Sequence, residues 1–113
     1  NTIHDEDIKA ALEMVGLDSD NNEKVKNFSL GMRQRLAIAQ AIMEKQKIII
    51  LDEPFNGLDK QGVAQIKQLL LELKSPNRLI LLTSHIAGDI EELSDVIFEF
   101  SAGKIVPVTL CRL

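Results

Sequence analysis

The stretch IIILDEPFNGLD, residues 48–59, joins an apolar run to two adjacent acids, a proline and a glycine-containing turn. A continuous apolar run bounded by turn residues is typical of a strand buried on both faces of a sheet, and such strands occur mostly in the parallel sheets of α/β proteins. In open parallel sheets the ligand binds beyond the carboxyl ends of the strands. The stretch therefore predicts that Asp52 and Glu53 lie at the ligand-binding edge of an α/β fold.

A second apolar run, residues 79–82, leads into His85. Between the two runs, apolar residues at helical spacing over 63–73 predict an amphipathic helix. The order strand, helix, strand predicts a right-handed crossover with two parallel strands, whose carboxyl ends share one edge. We therefore expect His85 on the same edge as Asp52 and Glu53.

The remaining elements are predicted from apolar spacing and turn residues. Before the first strand we expect a helix over 5–15, an exposed loop over 17–27 and a second helix from a Ser29 cap to about residue 45. The buried stripe of that second helix is expected to contain Met32, Leu36, Ala39 and Met43. After the second strand we expect a short helix over 86–93 and a terminal hairpin over 96–108.

Composition limits the classes of function. The 113 residues, 45% of them hydrophobic, suit one soluble domain or a piece of one. No apolar run approaches the roughly 20 residues that cross a bilayer, and no signal peptide is recognisable. The net charge of -4 argues against nucleic acid as a partner. The single cysteine, Cys111, cannot form an internal disulfide, which favours the cytoplasm.

The chain resembles the nucleotide-binding domains of ABC (ATP-binding cassette) ATPases, because four motifs occur in the order and spacing of that family. The four are FSLGMRQR at 28–35, which resembles the signature loop; IIILDE at 48–53, which resembles the Walker B strand; NGLD at 56–59, which resembles the D-loop; and His85, which resembles the switch histidine. The resemblance covers nearly the whole chain. It implies a partial P-loop NTPase fold, mostly a parallel sheet flanked by helices, with a helical signature subregion at residues 1–45 and an α/β part at 46–113.

One motif of the family is missing from the sequence. There is no G-x-x-x-x-G-K-S/T loop, whose amides and lysine would hold nucleotide phosphates, and the family places that loop upstream of the region present here. Since the chain also starts with Asn1 rather than methionine, we expect it to be the carboxyl-terminal part of a cassette, inactive in ATP hydrolysis by itself. A parallel sheet without its other half exposes apolar surface, so we expect the isolated piece to self-associate.

The resemblance implies a role for each group at the sheet edge. Asp52 would bind Mg²⁺, which suits a hard carboxylate oxygen, although a helix cap or a solvated acid fits the residue alone equally well. Glu53 would polarise the water that attacks the terminal phosphate, and His85 would donate a hydrogen bond to that phosphate. Taken alone, Glu53 also fits a surface carboxylate. His85 also fits an ordinary strand-end histidine bonded to backbone, although its position on the shared edge favours a functional role.

The start of the second helix is a further candidate site. Unpaired backbone amides and the positive end of the helix dipole at Ser29 and Gly31 favour a phosphate oxygen, although a plain serine cap is the simpler interpretation. In the family this loop binds ATP held by a second nucleotide-binding domain, which faces the first head to tail. Asp59 caps the next helix and, by resemblance, contacts that partner. Leu30 and Met32 stand where the family usually has glycine and glutamine.

The function implied by the resemblance is that of the ATPase subunit of a membrane transporter, with ATP and Mg²⁺ as cofactors. Transmembrane subunits would hold it at the inner face of the cell membrane, and the FSLGM variant is similar to cassettes of antibiotic or peptide exporters. One alternative is a soluble ABC-type ATPase of DNA repair, chromosome organisation or translation, but the short spacing from Ser29 to Asp52 contains no long insertion. Another is a non-catalytic module with vestigial motifs, against which Asp52, Glu53 and His85 argue.

Overall fold

The computed structural model describes residues 3–20 and 22–108, so Asn1 and Cys111 lie outside the described residues. These form α1 (Asp5–Met14), a short 3-10 helix (Val25–Asn27), α2 (Leu30–Ile42), β1 (Ile48–Asp52), α3 (Lys60–Leu73), β2 (Leu79–Thr83), α4 (Ala87–Leu93), β3 (Ile97–Ser101) and β4 (Lys104–Val108). The α/β fold class and the predicted order of helices and strands are confirmed. The predicted boundary between the two subregions falls between α2 and β1, and the division itself stays a prediction.

The predicted crossover is present. β1 and β2 are parallel, with Ile48 opposite Leu79 and Asp52 opposite Thr83, and α3 connects them. β3 and β4 form the predicted antiparallel hairpin, which is a second two-stranded sheet within the described residues. The parallel pair is therefore the part of the fold that delivers side chains to the candidate site.

The core lies on one side of the parallel pair. Ile49 and Leu51 of β1 point to that side and are buried in one cluster with residues of α1, α2 and α3. Of the predicted stripe on α2, Ala39 is buried in the core and Met43 packs half-buried against it, whereas Met32 and Leu36 are half-buried. The prediction missed Ile38 and Ile42, which are buried. α2 contacts both α1 and β1, and its buried residues are Ile38, Ala39 and Ile42.

α2 also ends earlier than predicted. Its last residue is Ile42, and Lys45 has a positive φ of 53°, which no residue inside a right-handed helix adopts. The amide of Lys45 donates to the carbonyl of Ile42 at 3.1 Å, which closes the end of the helix before β1 begins.

The expectation that β1 is buried on both faces is wrong for this chain. Ile48 and Ile50 alternate with the buried residues and are exposed, Ile50 by 66%. Leu79 and Leu81 extend the same exposed face on β2. The helices among residues 3–20 and 22–108 cover only the opposite face, so this side of the parallel pair is an uncovered apolar surface.

An ion pair fixes α4 against α3. Lys67 Nζ of α3 contacts Asp89 Oδ1 at 2.6 Å and Glu92 Oε2 at 2.9 Å. Asp89 is only 9% exposed, and among the residues that the structure describes it is the one charged residue that is buried. The hydrogen bond with Asp89, followed by that with Glu92, raises the pKa of Lys67 above its ordinary value. Because α4 follows directly after His85, this pair positions the segment that carries the histidine.

The first prediction concerns the uncovered face. We expect the isolated 113-residue chain to form dimers or larger assemblies at micromolar concentration, because parallel strands with an exposed apolar face bury it against another copy. The double substitution Ile50→Thr/Leu81→Thr should lower the mass measured by light scattering, whereas Val25→Thr, at an exposed position outside the sheet, should not. A monomer mass for the unmodified chain would contradict this expectation.

The second prediction concerns the ion pair. Lys67→Met should lower the free energy of unfolding by about 2–3 kcal/mol, because it leaves the buried Asp89 carboxylate without its cation. Lys74→Met is the matched control, since the Lys74–Asp95 pair at 3.0 Å is more exposed and should contribute less than about 1 kcal/mol. Urea denaturation measures both variants.

The pH dependence of the Lys67 effect has a definite sign. Since the pKa of Lys67 is raised on folding, its stabilisation is fully present below the ordinary pKa of lysine and is lost as pH rises through the raised value. The difference between the unmodified chain and Lys67→Met should therefore be constant around neutral pH and shrink only in strongly alkaline solution. A difference that changes between pH 6 and pH 8, roughly the range where histidine titrates, would contradict this assignment.

Candidate functional site

The carboxyl ends of β1 and β2 bring three predicted residues together, as the crossover requires. Asp52 is the last residue of β1, Glu53 follows it, and His85 lies two residues beyond the end of β2. Together with Thr83 we call these the sheet-edge cluster. The predicted shared edge for the two acids and the histidine is confirmed.

Glu53 and His85 are in direct contact. His85 Nδ1 lies 3.1 Å from Oε1 and 3.2 Å from Oε2 of Glu53. The Glu53 side chain is 36% exposed and that of His85 72%, so both groups are accessible to a ligand. Where Nδ1 carries a proton, it donates to this carboxylate.

Thr83 is a member of the cluster that the sequence interpretation missed. Its hydroxyl donates to Asp52 Oδ1 and accepts from the backbone N–H of Glu53 at 3.0 Å. One hydroxyl therefore fixes both the first acid and the main chain of the second. The signal was available, because a threonine at the end of β2 faces the strand end that carries Asp52.

The backbone of Glu53 adopts a conformation that is uncommon for a residue with a side chain. Its φ is 50°, in the left-handed region, and the residue precedes Pro54, where an extended conformation is normal. Four hydrogen bonds hold it. The N–H donates to the carbonyl and the hydroxyl of Thr83, and the C=O accepts from Asn56 N at 3.2 Å and from Gln34 Nε2 at 3.0 Å. These hydrogen bonds thus fix the backbone of Glu53 and, with it, the direction of the bond from Cα to the side chain.

A second group of residues, which we call the loop cluster, joins the start of α2 to the turn before α3. Ser29 caps α2 and accepts from Met32 N at 3.1 Å, and Asp59 caps α3 and accepts from Gly62 N at 2.7 Å. Both predicted helix caps are confirmed. A Cβ at Gly31 would lie 3.0 Å from the carbonyl oxygen of Gly57, so the two turns are in close contact.

Leu30, the first residue of α2, packs on the second turn. A Cβ at Gly57 would lie 2.5 Å from Leu30 Cγ, and Gly57 has a positive φ of 80°. Glycine is therefore required at position 57 for two reasons: the backbone has a positive φ, and Leu30 leaves no room for a side chain. The contact places an apolar side chain between the two halves of the loop cluster.

Gln34 and Arg35 are polar residues of α2 that contact the rest of the protein. Each is half-buried, and Arg35 Nη1 donates to the carbonyl of Val15 at 2.7 Å. Both terminal nitrogens of the guanidinium group, Nη1 and Nη2, donate to Gln65 Oε1 at 3.1 Å. Arg35 therefore connects α2 to the end of α1 and to α3. Gly16 leaves room for it, because a Cβ there would lie 2.6 Å from Nη1. A single sequence does not distinguish such a half-buried arginine from an exposed one.

The described residues do not form a metal site by themselves. Over 3–20 and 22–108, no three His, Cys, Asp or Glu side chains are grouped to hold an ion. Asp52 is exposed and offers carboxylate oxygens at the strand end, which suits an ion that takes its other ligands from water and a bound phosphate.

Among the residues that the structure describes, no helix is long and apolar enough to cross a membrane.

Comparisons with known proteins agree with this geometry. The family described as "ABC transporter" matches residues 2–56. An ABC transporter ATP-binding protein, YybJ of Bacillus subtilis (strain 168), is 46% identical over 101 residues, which are 89% of this chain and 46% of YybJ. The bacitracin transport ATP-binding protein BcrA of Enterococcus faecalis is 42% identical over 100 residues, which are 88% of this chain and 32% of BcrA. The lantibiotic transport ATP-binding protein SrtF of Streptococcus pyogenes is 42% identical over 95 residues, which are 84% of this chain and 42% of SrtF.

Solved structures give the same result. The ADP conformation of MJ1267, an ATP-binding cassette of an ABC transporter, superposes with a TM-score of 0.70 at 26% identity, covering 89% of this chain and 40% of MJ1267. CbiO1 from Clostridium perfringens, part of the ABC transporter complex cbiONQ, superposes with a TM-score of 0.69 at 29% identity, covering 89% of this chain and 41% of cbiO1. The chain belongs to the family of ABC transporter ATP-binding domains. It spans less than half the length of each of these relatives.

The third prediction concerns Gly57. Gly57→Ala should lower the free energy of unfolding by at least about 2 kcal/mol, because alanine is strained at positive φ and its methyl group would meet Leu30. Gly88→Ala is the matched control, since a Cβ there meets nothing within 4 Å and the residue lies in α4. Urea denaturation followed by circular dichroism compares the two variants, and equal stabilities would contradict the packing of Leu30 on Gly57.

Proposed function

We propose that the complete protein containing this chain is the ATP-binding subunit of an ABC transporter and hydrolyses ATP. The observation that carries the proposal is the contact of Glu53 with His85 beside the Asp52 carboxylate, at the strand end where α/β folds bind ligands. Membership of the ABC family and the similarity to named transport ATP-binding proteins support the same function.

In this proposal the sheet-edge cluster acts on Mg²⁺·ATP. Asp52 would hold a Mg²⁺ ion directly or through water, and the ion would supply neutralisation of the phosphate charge. Glu53 is the catalytic carboxylate that orients and polarises the attacking water. His85 contacts the terminal phosphate while its Nδ1 remains against Glu53. Phosphoryl transfer requires mainly such positioning and charge stabilisation.

The loop cluster is assigned to the nucleotide held by a second nucleotide-binding domain, in a head-to-tail dimer. The Ser29 hydroxyl accepts from Met32 N, which leaves its own proton to donate to a phosphate oxygen. The Gly31 amide lies in the first turn of α2, where the helix dipole favours an anion. Asp59 is placed at the same interface as a contact to the partner domain.

The membrane partners follow from the same family. We infer that transmembrane subunits bind the complete protein at the inner face of the cell membrane, and that ATP and Mg²⁺ are its cofactors. The relatives named for bacitracin and lantibiotic transport favour export of an antibiotic or peptide over a soluble role in DNA repair, chromosome organisation or translation. A non-catalytic module with vestigial motifs is disfavoured by the contact between Glu53 and His85.

The fourth prediction tests the catalytic assignment. In the complete protein, Glu53→Gln should reduce ATP turnover to background while leaving the Kd for ATP within about threefold, because the amide cannot polarise water but keeps the shape of the site. Phosphate release and nucleotide binding by calorimetry measure the two effects. Glu13→Gln, at an exposed position on α1, is the control and should turn over ATP normally. Full turnover by Glu53→Gln would remove Glu53 from the mechanism.

A further inference from the structure

We infer that Gln34 is a positioning residue for the Glu53 carboxylate, and that it connects α2 directly to the catalytic strand end. The inference rests on the proposed function, because it concerns the same reaction. Its basis is one hydrogen bond between elements that are distant in the sequence, from Gln34 Nε2 to the carbonyl oxygen of Glu53 at 3.0 Å.

The need for such a bond follows from the conformation of Glu53. A non-glycine residue at a φ of 50° costs about 1–2 kcal/mol relative to a right-handed one, and the following proline further narrows the choice. A strained residue keeps its conformation only where its neighbours determine it. If the main chain of Glu53 relaxed, its Cα–Cβ bond would turn and the carboxylate would leave His85.

The two peptide groups of Glu53 are held from opposite sides of the fold. On the amino side, the N–H donates to Thr83 of β2. On the carboxyl side, the C=O accepts from Asn56 within its own turn and from Gln34 of α2. A carbonyl oxygen has two lone pairs, and both are used here. Gln34 supplies the bond that fixes the turn relative to the rest of the protein, since Asn56 moves together with Glu53.

The position of Gln34 on α2 gives this bond its direction. α2 begins at the Ser29 cap and is anchored on α1 and α3 by Arg35, the residue next to Gln34. Its position is therefore set by contacts with other elements in addition to the bond with Glu53. Gln34 is half-buried, so water competes less for its amide than at the surface. Through this hydrogen bond, the Gln34 side chain holds the carbonyl group of Glu53 in a fixed position relative to α2.

The experiment uses the complete protein and steady-state ATP hydrolysis. Gln34→Met keeps the length of the side chain and removes its donor, and Gln34→Lys keeps a donor of similar reach. Gln40→Met is the matched control at an exposed position of the same helix. We expect Gln34→Met to lower kcat about 10- to 100-fold with KM for ATP within about twofold, because misplacing a catalytic group reduces the rate rather than binding. Gln34→Lys should recover at least about fivefold of that loss, and Gln40→Met should have no effect.

Three results would overturn the inference. A kcat within about twofold of the unmodified protein for Gln34→Met would show that the bond does not position Glu53. A loss that Gln34→Lys does not recover, or that appears equally in KM, would show a general structural role instead. Failure of the proposed function is distinguishable: the unmodified protein would then not hydrolyse ATP at all, whereas failure of this inference alone leaves the unmodified protein active and Glu53→Gln inactive.

Discussion

Backbone hydrogen bonds between β1 and β2 hold Asp52 opposite Thr83, and this register decides where the other groups of the sheet-edge cluster lie. A slip of one residue would turn Ile49 and Leu51 away from the core, so burial of these two side chains fixes the pairing. With the register fixed, the Thr83 hydroxyl reaches both Asp52 and the amide of Glu53. The hydrophobic core thereby specifies the geometry of polar groups that it does not contain.

The strain at Glu53 and the anchoring of α2 belong to one arrangement. Arg35 occupies the space beside Gly16 and connects α2 to α1 and α3. The neighbouring residue, Gln34, donates to the carbonyl oxygen of Glu53. At the start of the same helix, Leu30 packs on Gly57, a few residues after Glu53. α2 thus contacts the turn after β1 at two places, Glu53 and Gly57, and the loop cluster and the sheet-edge cluster are supported by one helix.

Much of this could be predicted from the sequence, because periodicity and turn residues are local signals. The crossover, the shared edge for Asp52, Glu53 and His85, and the caps at Ser29 and Asp59 all follow from such signals. The burial of β1 was predicted less well. Its apolar composition is typical of a strand covered on both faces, but only one face is covered. Composition shows that a strand can be buried, and it does not show which elements pack against it. The contacts of Gln34 and Arg35 are long-range, and no local pattern encodes them.

The central claim is that Glu53 and His85 act as one unit in ATP hydrolysis, and a double-mutant cycle on the single-turnover rate of the complete protein tests it most directly. The cycle compares Glu53→Asp, which withdraws the carboxylate, with His85→Ala and with the double variant. If the two residues act together, the double variant should hydrolyse ATP no more slowly than the slower single variant, because the first change already removes the joint contribution. Effects that multiply would contradict the claim, since they would show that the two side chains contribute independently.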